Sequence, residues 1–449
     1  PSFANSYPEG GKPGYAENKN RNANFYLNGG YVYDGRYLLD VNLRSDGTSV
    51  FGANKRFSTT WSVGLAWNVH REKFMKDKAS FINVLKLRGS VGNPGNQNFS
   101  SYSAITTYYF NNWMLNNFGT GVLVSKFGDP NLAWQRTLDK NIGINLSMFS
   151  NRFHVTVDFY HKRTDPLIAD IGIPVSMGVE KRRTNIGVQV DKGVNGTIRY
   201  AILYKPQESI NYTMSVNFRY GTAFYKNIGR SLNAYNQENI SKNLTRYYDG
   251  GSPTALWAVR SRGIDPATGQ EIFVKKDGTL TYTFDYKDEV EVGDSRPTLE
   301  GVWGNPFYYK GWSASLQLRY SFGADVFNST LFNKVENISS RSITTNQDRR
   351  ALYNRWKKPG DKAKFKSISL TESTPMSSRF VMKENYLSIE SVRLGYQFDS
   401  KWLKKALRIS SLNINMYMNS IARFSTLEDE RGLYYPFARS ISFSLGAIL

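Results

Sequence analysis

Apolar and polar residues alternate along much of this chain with a period of two, and this alternation limits the fold more than any other feature. Between residues 57 and 69 the odd positions carry Phe, Thr, Trp, Val, Leu, Trp and Val, whereas every even position is small or polar. Successive side chains of a β-strand point to opposite faces, so the segment predicts a strand with one apolar face. The same alternation occurs at residues 37–43, 153–159, 210–220, 312–322, 412–418 and 441–449.

About thirteen segments of this kind are present, and most are nine to thirteen residues long. A tilted strand needs that length to cross a bilayer, whereas strands of soluble proteins are usually shorter. No stretch of about eighteen apolar residues predicts a transmembrane helix. Strands that cross a membrane do not show such an apolar stretch, because only alternate residues face lipid. The pattern therefore predicts an all-β fold, a transmembrane antiparallel β-barrel.

The connections between these segments alternate in length. Short turns are predicted at Asp34-Gly35, Ser150-Asn151, residues 205–208 and Lys310-Gly311. Long links lie between them, at residues 47–56, 93–133, 164–184, 221–296 and 329–384. Outer-membrane barrels have short periplasmic turns and long extracellular loops, whereas a soluble β-sandwich gives no reason for such an order.

This order predicts the organisation of the chain. Residues 1–22 are expected to be a loop or linker, and residues 23–449 are expected to belong to the barrel. Long extracellular loops are predicted at residues 93–133, 221–296 and 329–384. Asp277-Gly278 departs from the order and predicts a small hairpin, residues 271–284, inside the longest loop. If Leu449 ends at the periplasmic rim, the short turns lie on that rim as well.

Aromatic residues concentrate towards the ends of the segments, which is typical of the interfacial girdles of a membrane barrel. The alternative is the ordinary core of a soluble sandwich. The residues are Tyr31, Tyr33, Tyr37, Trp61, Trp67, Tyr308, Tyr309, Trp312 and Tyr320.

Composition argues against several classes of function. The net charge of +21 invites a nucleic-acid partner, but the Lys and Arg residues are scattered and form no continuous basic stripe. We therefore predict no nucleic acid and interpret the charge as a surface that faces solvent and lipopolysaccharide. The chain has no cysteine, and its three histidines, His70, His154 and His161, lack the spacing of metal ligands. We predict no catalytic residue and no enzymatic activity.

Acidic residues cluster at one place in the longest loop. Asp285, Asp288, Glu289 and Glu291 are interpreted as a solvated turn, with a calcium site as the weaker alternative because calcium accepts loop carboxylates. The Gly-rich pieces near Gly92 and Asp249 lack the strand and helix context of a phosphate loop. No metal and no cofactor are predicted.

Substrate binding in such a barrel falls to residues of the lumen and the long loops. Flat aromatic rings cover the apolar surface of a sugar or peptide, while amide and charged groups bond its polar atoms. The alternative is that the same rings pack loops against each other or against a partner. The candidates are Tyr108, Tyr109, Asn111, Asn112 and Trp113 in one cluster, Tyr247, Tyr248, Asp249, Trp257 and Arg260 in a second, and Tyr434 and Tyr435 in a third.

Six stretches of the chain carry specific motifs. In chain order they are YLLDVNLRSDGTSVFGANKRFSTTWSVGLAWNVHREKFMKD from Tyr37, LKLRGSVGNPGNQ, RTNIGVQVDKGV, GIDPATGQEIF from Gly263, RWKKPGD and SSRFVMKENYLSIESVRLGYQF. These stretches, in this order, resemble the SusC/RagA family of TonB-dependent transporters of Bacteroidota. The family commonly ends in an aromatic residue, whereas this chain ends in Gly-Ala-Ile-Leu.

The resemblance implies a plugged barrel of roughly 22 strands, of which this chain supplies about 13. In the family a β-sandwich domain, a TonB-contacting segment and a plug precede the barrel, and no stretch here matches them. We therefore expect a part of a longer transporter, completed by the amino-terminal plug and the remaining strands.

The resemblance also implies function and partners. It implies active import of oligosaccharides or oligopeptides, with a SusD-like surface lipoprotein as lid and TonB–ExbB–ExbD as motor, in the outer membrane of a Gram-negative bacterium. We expect the loop at residues 221–296 to contribute to the lid interface. The alternatives are a passive channel or structural adhesin without energy coupling, and a secreted β-rich glycan-binding enzyme. A plug upstream of Pro1 would favour import, and behaviour as a soluble monomer would favour the enzyme.

Overall fold

The computed structural model describes residue 17 and residues 19–49, 56–76, 80–96, 105–116, 119–339, 341, 344, 347–370, 372–427 and 439–448. The strands, in chain order, are β1 (Asn22–Tyr33), β2 (Tyr37–Thr48), β3 (Phe57–Asn68), β4 (Ile82–Gly92), β5 (Gly95–Asn96), β6 (Thr107–Asn116), β7 (Gly119–Lys126), β8 (Gln135–Met148), β9 (Phe153–Thr164), β10 (Ile168–Gly172), β11 (Lys181–Asn185), β12 (Val188–Lys205), β13 (Ile210–Lys226), β14 (Ala255–Ile264), β15 (Glu271–Val274), β16 (Leu280–Thr281), β17 (Glu289–Asp294), β18 (Leu299–Tyr309), β19 (Trp312–Phe327), β20 (Val381–Phe398), β21 (Ser411–Ser425) and β22 (Ile441–Ile448).

Helices are few and short. The α-helices are α1 (Lys73–Lys76), α2 (Asn233–Asn239) and α3 (Lys401–Leu407), and Leu331–Glu336 forms a π-helix. Single 3₁₀ turns occur at Val69–Arg71, Val175–Met177, Pro206–Glu208, Tyr286–Asp288, Arg349–Leu352 and Ser378–Phe380. Within the described residues, no helix combines the length and the apolar character needed to cross a membrane.

One large antiparallel sheet dominates the described part of the chain. Thirteen of its strands follow the order β1-β2-β3-β4-β8-β9-β12-β13-β18-β19-β20-β21-β22, and the short β5 also pairs with β8. The predicted all-β fold with about thirteen barrel strands is therefore confirmed. Within the described residues β1 and β22 each have a partner on one side, so the sheet is open.

The two rims of this sheet differ, but less sharply than the turn pattern predicts, because the longer links at residues 69–81 and 399–410 also lie on the rim of the short turns. On one rim β1 and β2 are joined through Asp34 and Gly35, and β18 and β19 through Lys310 and Gly311, all with positive φ. Two such residues make the tight hairpin turn whose twist matches that of the strands. Pro206–Glu208 and Ser209 join β12 to β13 on the same rim. The opposite rim carries the long links, at residues 49–56, 93–134, 165–187, 227–298, 328–380 and 426–440.

Register gives the sheet two different faces. Because directly paired residues lie on the same face, one polar row crosses nine strands, from β4 to β21: Arg88, Gly143, Asp158, Asn195, Arg219, Glu300, Ser321, Tyr386 and Ser425. The adjoining row on the other face is apolar or glycine: Leu87, Ile144, Val157, Gly196, Phe218, Gly301, Tyr320, Leu387 and Phe424. Leu65, Ile142 and Phe159 on the apolar face are more than half exposed, as residues that face lipid must be.

The long links contain structure of their own, which the sequence revealed only in part. The predicted hairpin at residues 271–284 is confirmed as β15 and β16, but these are half of a four-stranded sheet completed by β14 and β17. Two further hairpins, β6–β7 and β10–β11, lie in other links. β13 continues to Lys226, so the link that follows begins at residue 227 rather than 221.

We refer to the thirteen paired strands of the large sheet as the wall. A hydrophobic core is present in the loops rather than in the wall. Val335, Ala351, Phe365 and Phe380 form a buried cluster on the long-loop rim, and Phe327 and Phe332 pack against it. The wall, by contrast, presents its apolar side chains outward. The loops are thus packed like a small globular domain, while the sheet depends on a membrane for its burial.

Candidate functional site

Two cavities lie along the polar face of the sheet. One has a volume of about 430 Å³ and is lined by side chains of the polar row, and the other, of about 840 Å³, lies over β1 to β4 and β8. Polar lining residues include Asp158, Asn195, Asn217, Arg219, Glu300 and Arg319 in the first, and Asn24, Asn42, Arg44, Arg88, Asp139 and Asn141 in the second. The polar face therefore offers a continuous surface of hydrogen-bonding groups.

Charges on this face are arranged in pairs across strands. Arg88 Nη2 lies 2.6 Å from Asp158 Oδ2, and Arg423 Nη2 lies 2.6 Å from Glu384 Oε1. Looser pairs join Lys162 to Asp139, Arg219 to Glu300 and Arg319 to Glu390 at 3.2 to 3.6 Å. Opposite charges placed side by side stabilise neighbouring strands and leave no large field of one sign. Such a surface can form hydrogen bonds with a polar solute that moves along it, and these paired charges do not bind the solute tightly at one point.

Tyr160 on β9 lies flat against two neighbouring strands. A Cβ at Gly193 or Gly221 would fall 2.6 or 2.5 Å from the Tyr160 hydroxyl, so both positions need glycine for the ring to fit. Gly193 and Gly221 are paired in register, and Gly193 also pairs with Tyr160. The three residues close-pack the polar face where β9, β12 and β13 meet.

A buried ion network joins the two longest loops. Arg379 Nη2 donates to Glu271 Oε2 at 2.8 Å and to Glu336 Oε1 at 2.6 Å, and Ser377 Oγ donates to Glu271 Oε1 at 2.6 Å. Glu336 and Ser377 are almost completely buried. Burial opposes the charge of Arg379, but the hydrogen bonds to Glu336 and Glu271 prevail and raise its pKa above the ordinary value. The network requires both carboxylates, since each neutralises part of a buried charge.

A second contact joins the same loops. Trp356 Nε1 and the Gly360 amide both donate to the Pro266 carbonyl oxygen at 2.8 Å. The Trp356 ring lies against Gly269, where a Cβ would fall 2.6 Å from it and where φ is +73°. The segments GIDPATGQEIF and RWKKPGD, far apart in sequence, are therefore in direct contact.

The acidic cluster of the longest loop is not simply a solvated turn. Glu289 is buried and accepts two hydrogen bonds from the buried Arg246, at 2.9 Å from Nε and 2.6 Å from Nη2. Burial raises the pKa of Glu289, and the Arg246 guanidinium opposes that shift. Asp285 accepts from the Lys287 amide and Asp288 from the Lys276 amide. The interpretation as a solvated turn is thus wrong for Glu289, because its partner lies on a distant segment.

A metal site has no support in the described geometry. In the described part of the chain, no three His, Asp or Glu side chains converge as metal ligands do. The calcium alternative at Asp285, Asp288, Glu289 and Glu291 stays a prediction.

The structure brings Tyr248 and Trp257 of the second predicted cluster into contact. The ring centroids of Tyr248 and Trp257 are 4.8 Å apart, and the Tyr247 ring packs between those of Tyr225 and Tyr235. Asp249 accepts from the amides of Ile228 and Gly229 at 2.8 and 3.0 Å, and Arg260 is exposed. These contacts stabilise the loop, and a role in binding stays a prediction.

The other two clusters are described only in part. Tyr108 and Tyr109 on β6 are exposed, and Asn111 and Trp113 belong to the same strand by their backbone. Tyr434 and Tyr435 lie outside the described residues. Substrate binding by these two clusters also stays a prediction.

A third cavity, of about 340 Å³, lies where the polar face meets the long-loop rim and was not predicted. Gln189 and Tyr225, which are paired in register, form its floor. Hairpin β10–β11 and helix α2 with its preceding loop form the walls. The only signal for it in the sequence is the apolar character of isolated loop residues. Its lining residues are Leu167, Ile168, Ala169, Asp170, Ile186, Gln189, Tyr225, Ile228, Leu232, Tyr235 and Tyr247.

Comparison with known proteins gives a consistent result. The family model described as TonB dependent receptor-like, beta-barrel, matches residues 1–417. A TonB-dependent receptor of Formosa agariphila is 27% identical over 90% of this chain and 43% of that protein. The TonB-dependent receptor SusC of Bacteroides thetaiotaomicron is 24% identical over 92% of this chain and 42% of that protein.

The fold is similar to a solved chain of the RagAB peptide transporter, with a TM-score of 0.78 and 20% identity, over 91% of this chain and 44% of that chain. The chain therefore spans less than half the length of the relatives it matches.

Proposed function

This chain belongs to the TonB-dependent receptor-like β-barrel family, and on that premise we propose that it forms wall and loops of a transporter that imports oligomeric nutrients. The chain is an outer-membrane protein of the SusC and RagA type found in Bacteroidota. Import is proposed for the complete protein, in which a plug and a TonB-contacting segment would couple transport to an energised inner membrane.

The observation that carries this proposal is the two-faced wall. Its apolar face is exposed at Leu65, Ile142 and Phe159, while its polar face carries cavities and paired charges. A barrel that encloses the polar face provides a water-filled path, and lipid covers the other face.

We propose a SusD-like surface lipoprotein as the partner that covers the long-loop rim. Similarity to SusC and to a chain of the RagAB complex supports this. The loops at 227–298 and 328–380 are joined through Arg379 and Trp356, so they offer a partner one packed surface rather than separate flexible strands. Purification of the complete transporter from native membranes should recover a lipoprotein with it, and its absence would contradict this part of the proposal.

The complete transporter tests import directly. Cells that carry it should accumulate a labelled oligopeptide or oligosaccharide only while the TonB-type motor is present. Continued uptake without the motor would indicate a passive channel instead, which is the rival function.

A pair of substitutions tests the path itself. Asn195→Trp places a bulky ring on the polar face and should reduce uptake, whereas Ile142→Trp places the same ring on the apolar face and should leave uptake unchanged. Equal uptake by the two variants would show that the polar face is not the path.

A further inference from the structure

The third cavity is lined mainly by apolar and aromatic side chains, together with the polar residues Asp170 and Gln189. Leu167, Ala169 and Ile186 line one side, and Ile228 and Leu232 line the other, where the latter two are almost completely buried. Three tyrosine rings complete it, with centroids 5.6 Å apart for Tyr225 and Tyr247 and 5.4 Å apart for Tyr235 and Tyr247. A volume of about 340 Å³ is at the small end of ligand pockets.

The Asp170 carboxylate and the Gln189 amide nitrogen of the lining are already engaged. Asp170 accepts from Arg183 Nε at 2.9 Å and Nη2 at 3.2 Å, and Gln189 Nε2 donates to Asp191 Oδ2 at 2.8 Å. A neutral sugar ring entering the cavity would bury several hydroxyl groups, each of which needs a partner. An apolar side chain needs none, and aromatic rings pack well on tyrosine faces.

The cavity lies beside the polar face of the wall. Gln189 and Tyr225 pair with each other on the polar face, in line with Gly193 and Gly221 further down the same strands. A solute that moves along this face therefore passes the cavity floor at the long-loop rim.

We propose that this cavity is a subsite for one apolar side chain of the imported oligomer, which makes the cargo an oligopeptide rather than a neutral glycan. The inference rests on the proposed function, since it takes the polar face to be the import path. The backbone groups of the peptide would then hydrogen-bond to the polar face, while the cavity would select for a large apolar side chain.

The test uses the complete transporter purified in detergent and two fluorescent heptapeptides that differ only at the central residue, Phe or Ser. The Phe peptide should bind at least roughly tenfold more tightly, because loss of a buried apolar group of this size costs at least that factor. Ala169→Trp fills the cavity and Tyr235→Ala removes one wall, so each should abolish the difference. Ala267→Trp, an exposed position of another loop on the same rim, is the matched control and should preserve it.

Resistance of each variant to SDS without heating shows whether the barrel is folded. Equal binding of the two peptides by the unchanged transporter, binding of neither, or a difference that survives both cavity variants would overturn the subsite. So would a loss of the lipoprotein partner, rather than of peptide discrimination, in the cavity variants. TonB-dependent uptake of maltoheptaose but of neither peptide would refute the subsite and leave the import function standing, whereas the absence of any TonB-dependent uptake would refute import itself.

Discussion

Arg379 connects loops that are distant in sequence, and its removal has a predictable result. Arg379→Met leaves the buried carboxylates of Glu271 and Glu336 without the guanidinium that pairs with them, which typically costs about 3–5 kcal/mol. We expect the loop at residues 328–380 to become sensitive to protease while the wall stays intact. Limited proteolysis in detergent measures this, with the exposed Arg260→Met as control. Unchanged protease resistance would show that the apolar cluster and the Trp356–Pro266 contact hold the loops without Arg379.

Glu72 on the short-turn rim predicts a dependence on pH. Hydrogen bonds from Trp67 Nε1 and the Tyr37 hydroxyl, and then from Arg36, outweigh burial and hold its pKa below the ordinary value. A carboxyl whose folded pKa is lowered stabilises the fold above its unfolded pKa of about 4.3, and that stability is lost as pH falls through the folded pKa.

The variant Glu72→Gln isolates this effect. The temperature at which resistance to SDS is lost should be higher for the unchanged protein than for the variant at neutral pH. The two values should converge as the pH falls below about 4. A constant difference across this range would exclude titration of Glu72 as the cause.

For a single residue, the sequence predicted which face of a strand carries its side chain, but not which residue it pairs with. Alternation assigns Asp158 to the polar face and Phe159 to the apolar face, as the structure has them. It does not reveal that Asp158 pairs with Arg88, because a period of two carries no information on register between distant strands. Glu289 was misjudged for a similar reason, since Arg246 reaches it from a segment that has no local pattern.

Among the elements, the tight hairpins have the most demanding backbone. Gly311 has a φ of +90°, and a Cβ there would fall 2.9 Å from the Gln397 carbonyl oxygen. Gly311→Ala should therefore lower the free energy of unfolding by roughly 1 kcal/mol or more. The control is Gly304→Ala within β18, where a Cβ meets its nearest atom at 3.9 Å. Urea unfolding in lipid vesicles compares the two variants, and equal stability would argue against strain at the turn.

Long strands were predictable as elements and short ones were not. The wall strands have enough residues for an alternation to be recognised, and their ends carry turn residues such as Asp34-Gly35. β17 in the long loop has only six residues and β14 does not alternate cleanly, and their pairing depends on contacts across the loop. The predicted aromatic clusters therefore lie in loops whose strands the sequence did not predict. A tyrosine that packs a loop cannot be distinguished by sequence from a tyrosine that binds a ligand.

For the whole molecule, the two faces of the wall make a direct prediction. The chain has no cysteine, so single cysteines report on their own positions once any others in the complete protein are replaced. Asn141→Cys lies on the polar face and should react with a water-soluble maleimide in lipid vesicles, whereas Ile142→Cys on the apolar face should not. Solubilisation in detergent should not change the first result. Reaction of both residues at equal rates would contradict a wall with lipid on one side.

The difference between the two rims affects how related proteins can diverge in evolution. Register between β1 and β2 and between β18 and β19 is set by tight turns on one rim, so the links on the other rim do not have to set it. Lengthening a flexible loop is cheap, at about 0.6 kcal/mol for each doubling. Insertions and exchanges at residues 93–134, 227–298 or 328–380 can therefore accumulate without displacing a wall strand. Related proteins can share one wall and diverge in what they accept.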